Sequence, residues 1–569
     1  MKNKIHYFFI PLLFSFLLIS CEDFLNTTNL TKKDTSNFPV TVVDANQALT
    51  GIYSRLYCNT VHENPYIIAE TASDDRAGGG GANDRKPHAI NRLFKTDENM
   101  FSNIWSIRYQ GIFRANMLLE NLDMVKDWAS ENQKTGMTGE ILFLRAYFYF
   151  DLCRLFGTVP LNTTSEAINK PRATPEELYG FIAQDLKDAI SMLPSIKFGA
   201  SGAPALGRVT KWGAEALMAR VFLFYTGYYQ KDAMPLAGGG TVTKDNVVAW
   251  LEDCIQNSGH ELVPDFRNLW PYSNPYTVAD YNWAKKHNLS WVGETGGNTE
   301  TIFAMKFSTT TGGMKFNCVG DMGLRAQPDL RKTFPHGRGW GILPVTPNMA
   351  EDWLAKEPND LRFKGSLFHV DDPEEEIEVY TWGSDTQVEE CGYWQKKYMP
   401  YHYKKEDGGV DNFTILMFGS PASAGWGDHN VCDYVVIRFA DVLLMAAELK
   451  QDVSYINQVR NRAELPSLAA YSLQALQDER RWELAFEGIR WFDMLRWGVD
   501  FTAEAVQKQH GKSVKNRGVD AIMDMPSVGQ RVRDTGGFWP IPQAQIDLSG
   551  GLLTQTQGWA ATDILFTGY

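Results

Sequence analysis

Apolar residues recur at helical spacing through most of the chain. Ala45 to Tyr57 and Phe101 to Val125 read as amphipathic helices, with Asn103, Asn116 and Asn121 among the polar positions of the second. Gly139 to Phe156 carries Leu144-Arg145-Ala146-Tyr147-Phe148-Tyr149-Phe150, apolar almost all round, which predicts a helix enclosed by neighbours. Thr174-Pro175-Glu176-Glu177 has the make-up of a helix start: a capping hydroxyl, proline at the first position and acidic residues in the first turn. Val209 to Tyr229 and Asn246 to Asn257 continue the series on either side of a turn at Gly238 to Gly240. Helical patterns resume at Tyr434 to Leu449, Val453 to Ala463 and Leu473 to Trp497. Between them, from about Leu262 to Trp426, the chain is rich in Gly, Pro, Tyr and Trp. There Glu300 to Phe307 reads as a strand and Asp371 to Glu378 as an acidic surface loop. The fold class is therefore mostly α: a helical scaffold plus a loop-rich region with short strands. The divisions are 21–260, 261–430 and 431–569, with 21–569 read as one compact unit.

The first twenty residues stand apart. Lys2 and Lys4 precede an apolar run from Tyr7 to Ile19, the pattern of a secretory leader. That run is shorter than the roughly 20 residues a membrane span needs. Leu18-Ile19-Ser20 before Cys21 resembles a bacterial lipobox, so residues 1–20 are expected to be removed and the Cys21 thiol to accept lipid. Glu22 and Asp23 follow directly. No later stretch is long and apolar enough to span a bilayer, which leaves the lipid as the expected anchor.

Composition narrows the function classes. A net charge of −13, with no basic block, argues against nucleic acid and against electrostatic attachment to an anionic membrane. The chain holds 17 Trp, 23 Tyr and 32 Phe. Most must be core, but a few on the surface would suit sugar rings, whose apolar faces stack on aromatic planes. Cysteines other than Cys21 are widely and irregularly spaced, which suggests neither a zinc ribbon nor thioredoxin-like chemistry and leaves their pairing undecided. There is no H-E-x-x-H, no G-x-S-x-G and no Walker loop, so no enzyme and no cofactor is expected. Calcium held by loop carboxylates is left open.

The densest stretch is Glu479-Arg480-Arg481-Trp482-Glu483-Leu484-Ala485-Phe486-Glu487-Gly488-Ile489-Arg490-Trp491-Phe492-Asp493-Met494-Leu495-Arg496-Trp497-Gly498. Its spacing suggests one continuous packing helix, with Glu487–Arg490 and Arg490–Asp493 pairing along one side and Gly488 admitting a close neighbour. As a string of residues it resembles the near-C-terminal signature of the SusD/RagB family of Bacteroidetes surface lipoproteins. Phe538 to Leu548 resembles that family's terminal motif, with Ser549-Gly550-Gly551 in place of the usual Asn-Pro. Leu144 to Leu161 resembles its early motif.

The resemblance implies a scaffold of four degenerate tetratricopeptide-like repeats, although no strict period of about 34 residues survives in this sequence. It also implies a non-catalytic, lipid-anchored protein on the outer face of the outer membrane, which captures a glycan and passes it to a SusC-like TonB-dependent transporter. Peptide capture in the RagB manner, or a scaffold gripping other surface proteins, are the alternatives. Two loops carry the candidate ligand contacts. The first holds Asp74, Asp75, Arg76 and Arg85, with Gly78 to Gly81 as a mobile rim; Asp74 and Asp75 would otherwise cap and salt-bridge the loop. The second, Gly312 to Trp353, displays Trp340 between two glycines, where its ring should be accessible. Trp283 and Trp291, with Tyr276 and Tyr281, form a further aromatic cluster.

Overall fold

The helical periodicity translates into a row of packed helices. The computed structural model describes residues 38–569 except 59, 206, 294–296, 310–315, 326–332, 378–379, 420–429 and 561–564. The leader and Cys21 lie outside the described residues. The first elements are α1 (Val42–Tyr53), α2 (Pro65–Ala72), α3 (Arg85–Asn91), α4 (Ser102–Asn121), α5 (Glu131–Phe156), α6 (Pro175–Met192), α7 (Lys211–Tyr229) and α8 (Lys244–Asn257). Their starts follow local chemistry: Thr41, Thr174 and Thr243 each close a capping box, and Pro175 occupies the first turn of α6. Neighbours in sequence are neighbours in space, α4 on α5, α5 on α6, α6 on α7 and α7 on α8. As its composition suggests, α5 is enclosed: Ile141 to Cys153 are all buried. Its one arginine there, Arg145, is satisfied by Asp185 on α6 at 2.8 Å and by Asn116 on α4 at 2.7 Å.

After the loop-rich middle come α9 (Phe439–Lys450), α10 (Val453–Arg462), α11 (Leu473–Glu483), α12 (Arg490–Trp497), α13 (Val499–Gln507) and α14 (Val528–Thr535). They close back on the first set, α9 against α8 and α12 against α7. One hydrophobic cluster consequently runs from Ala45 to Trp559, with a smaller one around Trp353 and Trp482, whose rings stack 5.0 Å apart. Among the described residues no helix is long and apolar enough to cross a membrane. The six described cysteines are buried free thiols.

Two expectations about elements fail for tertiary reasons. The segment read as the start of a helix at Tyr434 is a strand, β2 (Tyr434–Arg438), which pairs antiparallel with β1 (Thr301–Met305) before α9 begins. Val435, Val436 and Ile437 favour the pleated conformation once a partner strand is present. The segment Leu473 to Trp497 is two helices, α11 and α12, separated by a turn in which Phe486 (φ 65°) and Gly488 (φ 76°) take left-handed conformations. A side chain at Gly488 would place its Cβ 2.8 Å from the Tyr434 hydroxyl and 2.9 Å from the Tyr66 ring, so the close neighbour is real while the continuous helix is not.

That turn redirects the charges. Arg490 pairs with Asp74 rather than with Glu487 or Asp493. Asp493 takes Arg480 and Arg496, each at 2.8 Å. Glu479, Glu483 and Glu487 point into a buried cluster with Arg362, Lys397, Arg438, Arg460 and Arg462, and Glu300 and Asp360 complete it. With Glu357 at its edge, 2.7 Å from Arg460, the cluster sets six carboxylates against five cations, so every cation has a counter-charge where water is scarce. Burial by itself would raise the Glu483 carboxyl, but Arg462, Arg438 and Arg362 outweigh it and hold it well below the ordinary carboxylate range. The motif is therefore an ionic strut, tying the C-terminal helices to β1, β2 and the middle loops. The acidic loop 371–378 is likewise not wholly at the surface: Glu375 is fully buried, bound by Lys396 at 2.7 Å, His336 at 2.8 Å and the Tyr281 hydroxyl at 2.6 Å.

Candidate functional site: an exposed tryptophan held by Arg325

The loop between α2 and α3 and the loop carrying Trp340 are neighbours in space. Gly79 bridges to Ile342, the Gly80 N–H donates to the Gly341 carbonyl at 2.7 Å, and the Leu343 N–H donates to the Gly78 carbonyl at 3.2 Å. The four glycines are consequently buried and not a rim. They permit the backbones to touch, since a Cβ on Gly79 would lie 2.3 Å from the Pro344 ring. The glycines beside Trp340 serve the same end: a Cβ on Gly339 would stand 2.2 Å from the Gly320 carbonyl. The Trp340 N–H donates to that carbonyl at 3.0 Å. Its own carbonyl accepts from Arg325 Nη1 at 2.7 Å, so both backbone groups are fixed.

Arg325 is the organising residue, and sequence reasoning missed it. Its guanidinium lies 3.3 Å from Asp84 and 3.0 Å from Asp385, and also donates to the Asp385 carbonyl at 3.1 Å. Three segments far apart in sequence meet on one side chain, and no local pattern marks such a residue. Asp84 and Asp385 are partly open to solvent, and Arg85 is exposed beside Asp84. Among the described tryptophans Trp340 alone is exposed, at 39%. A flat apolar plane on a fixed backbone, bordered by carboxylates and a guanidinium, can stack one face of a ring and hydrogen-bond its edge. Nothing in the arrangement resembles a nucleophile–base pair, and among the described residues no His/Cys/Asp/Glu group has the geometry to hold a metal.

The remaining candidates lie inside. Asp74 is buried and bound in two-point fashion by Arg490 at 2.8 Å; Asp75 is buried against Arg481 at 2.7 Å. Burial raises both carboxyls. The two arginines overcome it at Asp74, whereas Asp75, with the Asp74 charge beside it, stays above the ordinary range. Arg76 is fully buried between Glu70 (2.9 Å) and the Phe486 ring (4.1 Å). These three residues dock the first loop onto the signature segment and offer no open group. Tyr281 and Trp283 are buried too, with the Lys396 ammonium 3.7 Å from the Trp283 ring centre. Trp291 is half-buried against Phe413 and Phe418. Of the residues singled out, Trp340 and Arg85 are exposed and Tyr276 and Trp291 are half-buried.

Comparison with known proteins agrees with this architecture. Residues 299–559 match the model of the SusD family, and residues 23–223 match a family described as starch-binding associating with outer membrane. SusD-like protein P2 of Formosa agariphila is 27% identical over 517 residues, covering 84% of this chain and 88% of that protein. A SusD-like protein of Bacteroides ovatus is 24% identical over 429 residues, 70% of this chain and 66% of its own length. A solved structure titled laminarin binding SusD-like protein superposes with a TM-score of 0.66 at 25% identity, covering 91% of this chain and 99% of that one. Surface glycan-binding protein A from Bacteroides thetaiotaomicron, solved with laminarihexaose, shares the fold at 20% identity and the same TM-score of 0.66, with 91% and 99% covered. The helical scaffold, the signature at Glu479 to Gly498 and the two family matches together establish that this chain belongs to the SusD family.

Proposed function

We propose that the protein is a non-catalytic cell-surface lipoprotein that binds a glycan at the Trp340 face and delivers it to a SusC-like TonB-dependent transporter. The observation that carries the reading is the single exposed tryptophan among those described, fixed through both backbone groups and bordered by Asp84, Arg325 and Asp385. Stacking on the indole would supply most of the affinity. The carboxylates accept from sugar hydroxyls and the guanidinium donates to them. A rim with two carboxylates on a chain of net charge −13 favours an uncharged saccharide over a polyanion. One similar structure is named for laminarin binding and one matching family is described as starch-binding, which supports neutral glucans as the first class to try. Membrane attachment would come from lipid on Cys21.

Calorimetry of the chain lacking residues 1–21 against neutral polysaccharides, including laminarin and starch, and against peptides tests the proposal. One glycan is expected to bind, and Trp340→Ala should weaken it at least tenfold, about 1.4 kcal/mol, with the circular dichroism spectrum unchanged. Undiminished binding by the variant would remove Trp340 from the site. Peptide binding without glycan binding would replace glycan capture by peptide capture.

A further inference from the structure

A groove of about 410 Å³ lies along α4 and shares no residue with the Trp340 face. On α4, Trp105, Tyr109 and Phe113 recur every fourth residue and so stand one above another on a single face of the helix. The ladder runs outward from the core. Trp105 is buried, Tyr109 is half-buried with its ring centre 5.1 Å from that of Trp105, and Phe113 is 47% exposed. The facing wall comes from two other segments: one supplies Asn162, Ile168 and Asn169, the other Gln545 and Leu548 from the helical turn Gln543–Leu548.

Hydrogen bonds between the segments hold the groove in shape. The Tyr109 hydroxyl donates to the Pro160 carbonyl at 2.8 Å, and the Asn169 side-chain amide donates to the Leu548 carbonyl at 3.0 Å. Among the described residues no carboxylate lines it, and its one charged group, the Lys170 ammonium, donates to the Leu161 carbonyl at 3.0 Å. Uncommitted polar groups remain. Asn162 Oδ1 is buried without a partner, and among the described residues the Ser106 hydroxyl and the Gln545 side-chain amide make no hydrogen bond. Aromatic faces beside neutral donors and acceptors suit a ring with an apolar face and hydroxyls at its edge. The volume falls within the roughly 300–1,000 Å³ of small-ligand sites.

We infer that this groove is a second saccharide site, taking a short stretch of an uncharged glycan with one sugar face on Phe113 and hydroxyls on Asn162 and Gln545. The class of ligand rests on the reading of the protein as a glycan binder. Exposed Ile168 and Leu548 at the rim would suit a protein surface as well, and the uncommitted amides are what favour a sugar.

Calorimetry of the chain lacking residues 1–21 with laminarihexaose and with maltohexaose tests it, using the parent, Trp340→Ala and Phe113→Ala. The Phe113 ring is half in solvent, so its removal leaves the core intact. The parent is expected to bind one of these sugars at two sites, Trp340→Ala to keep the groove site, and Phe113→Ala to weaken that site alone, by about fivefold. Crystals of Trp340→Ala soaked in the same sugar should show it against Phe113. Single-site binding that Trp340→Ala removes and Phe113→Ala leaves unchanged would overturn the inference and keep the Trp340 site. Single-site binding lost in Phe113→Ala alone would do the reverse. Sugar on Phe113 in crystals with no calorimetric signal from that site would mean binding at crystal concentration only, and would overturn the inference, as would binding of neither sugar by the parent. Self-association of the parent in sedimentation velocity, abolished in Phe113→Ala without sugar binding, would make the groove a contact between copies and overturn it too.

Discussion

A buried charge has consequences that depend on what faces it. Glu483 faces three arginines, and replacing it with Gln would leave Arg362, Arg438 and Arg462 short of a counter-charge. We expect a loss of about 3–5 kcal/mol in denaturant unfolding. Glu215 on α7 is the opposite case. It is fully buried, neither oxygen accepts a hydrogen bond, and its nearest cation, Lys211 at 3.5 Å, is claimed by Asp253 at 2.5 Å. Burial pushes its carboxyl up to about 8, against the pull of Lys211. A raised carboxyl means that the folded state holds the proton more tightly than the unfolded chain. This contribution to stability is whole below about pH 4.5 and is lost as pH rises towards 8. Glu215→Gln should match the parent at pH 4.5 and exceed it at pH 8 by on the order of 3 kcal/mol, read from urea midpoints at the two pH values. At this scale the sequence revealed residue types but not their surroundings. Asp74 and Trp340 both looked like ligand contacts, and only packing separates the ion-paired interior carboxylate from the exposed ring.

At the level of elements, helices were legible because their causes are local: apolar spacing, capping threonines and a first-turn proline. What escaped was the turn inside the signature. Leu484 to Ile489 has the composition of a helix, and the left-handed conformation at Phe486 and Gly488 is imposed by packing against Tyr66 and Tyr434. Gly488→Ala should therefore destabilise by more than the roughly 1 kcal/mol of a mid-helix glycine exchange, and with the opposite sign, because it adds a clash to an unfavourable φ. A fall in the thermal midpoint checks this, and a rise would mean that the turn can become helical. β2 escaped for a similar reason. Its run of β-branched residues is short, and the strand exists because β1, about 130 residues earlier, pairs with it.

For the whole molecule, the loop after α2 is tied to α11 and α12 by the pairs Asp75–Arg481 and Asp74–Arg490, residues about 400 positions apart, and this loop in turn packs against the segment that carries Trp340. Attachment to the membrane is a separate matter. If Cys21 is the lipid acceptor, Cys21→Ser should move the protein from the outer-membrane fraction to the soluble one while leaving its glycan affinity unchanged. Fractionation with immunodetection checks the first outcome and calorimetry the second.

The sequence by itself determined the helical class and the family, because periodicity, capping and motif spelling are local properties of the chain. Only the tertiary structure decided where the signature's charges go, that the four glycines are a contact and not a rim, and that Arg325 gathers Asp84, Asp385 and Trp340. The physical reason is that burial and ion pairing depend on partners brought from distant parts of the chain, and a residue's neighbours in sequence carry no record of them.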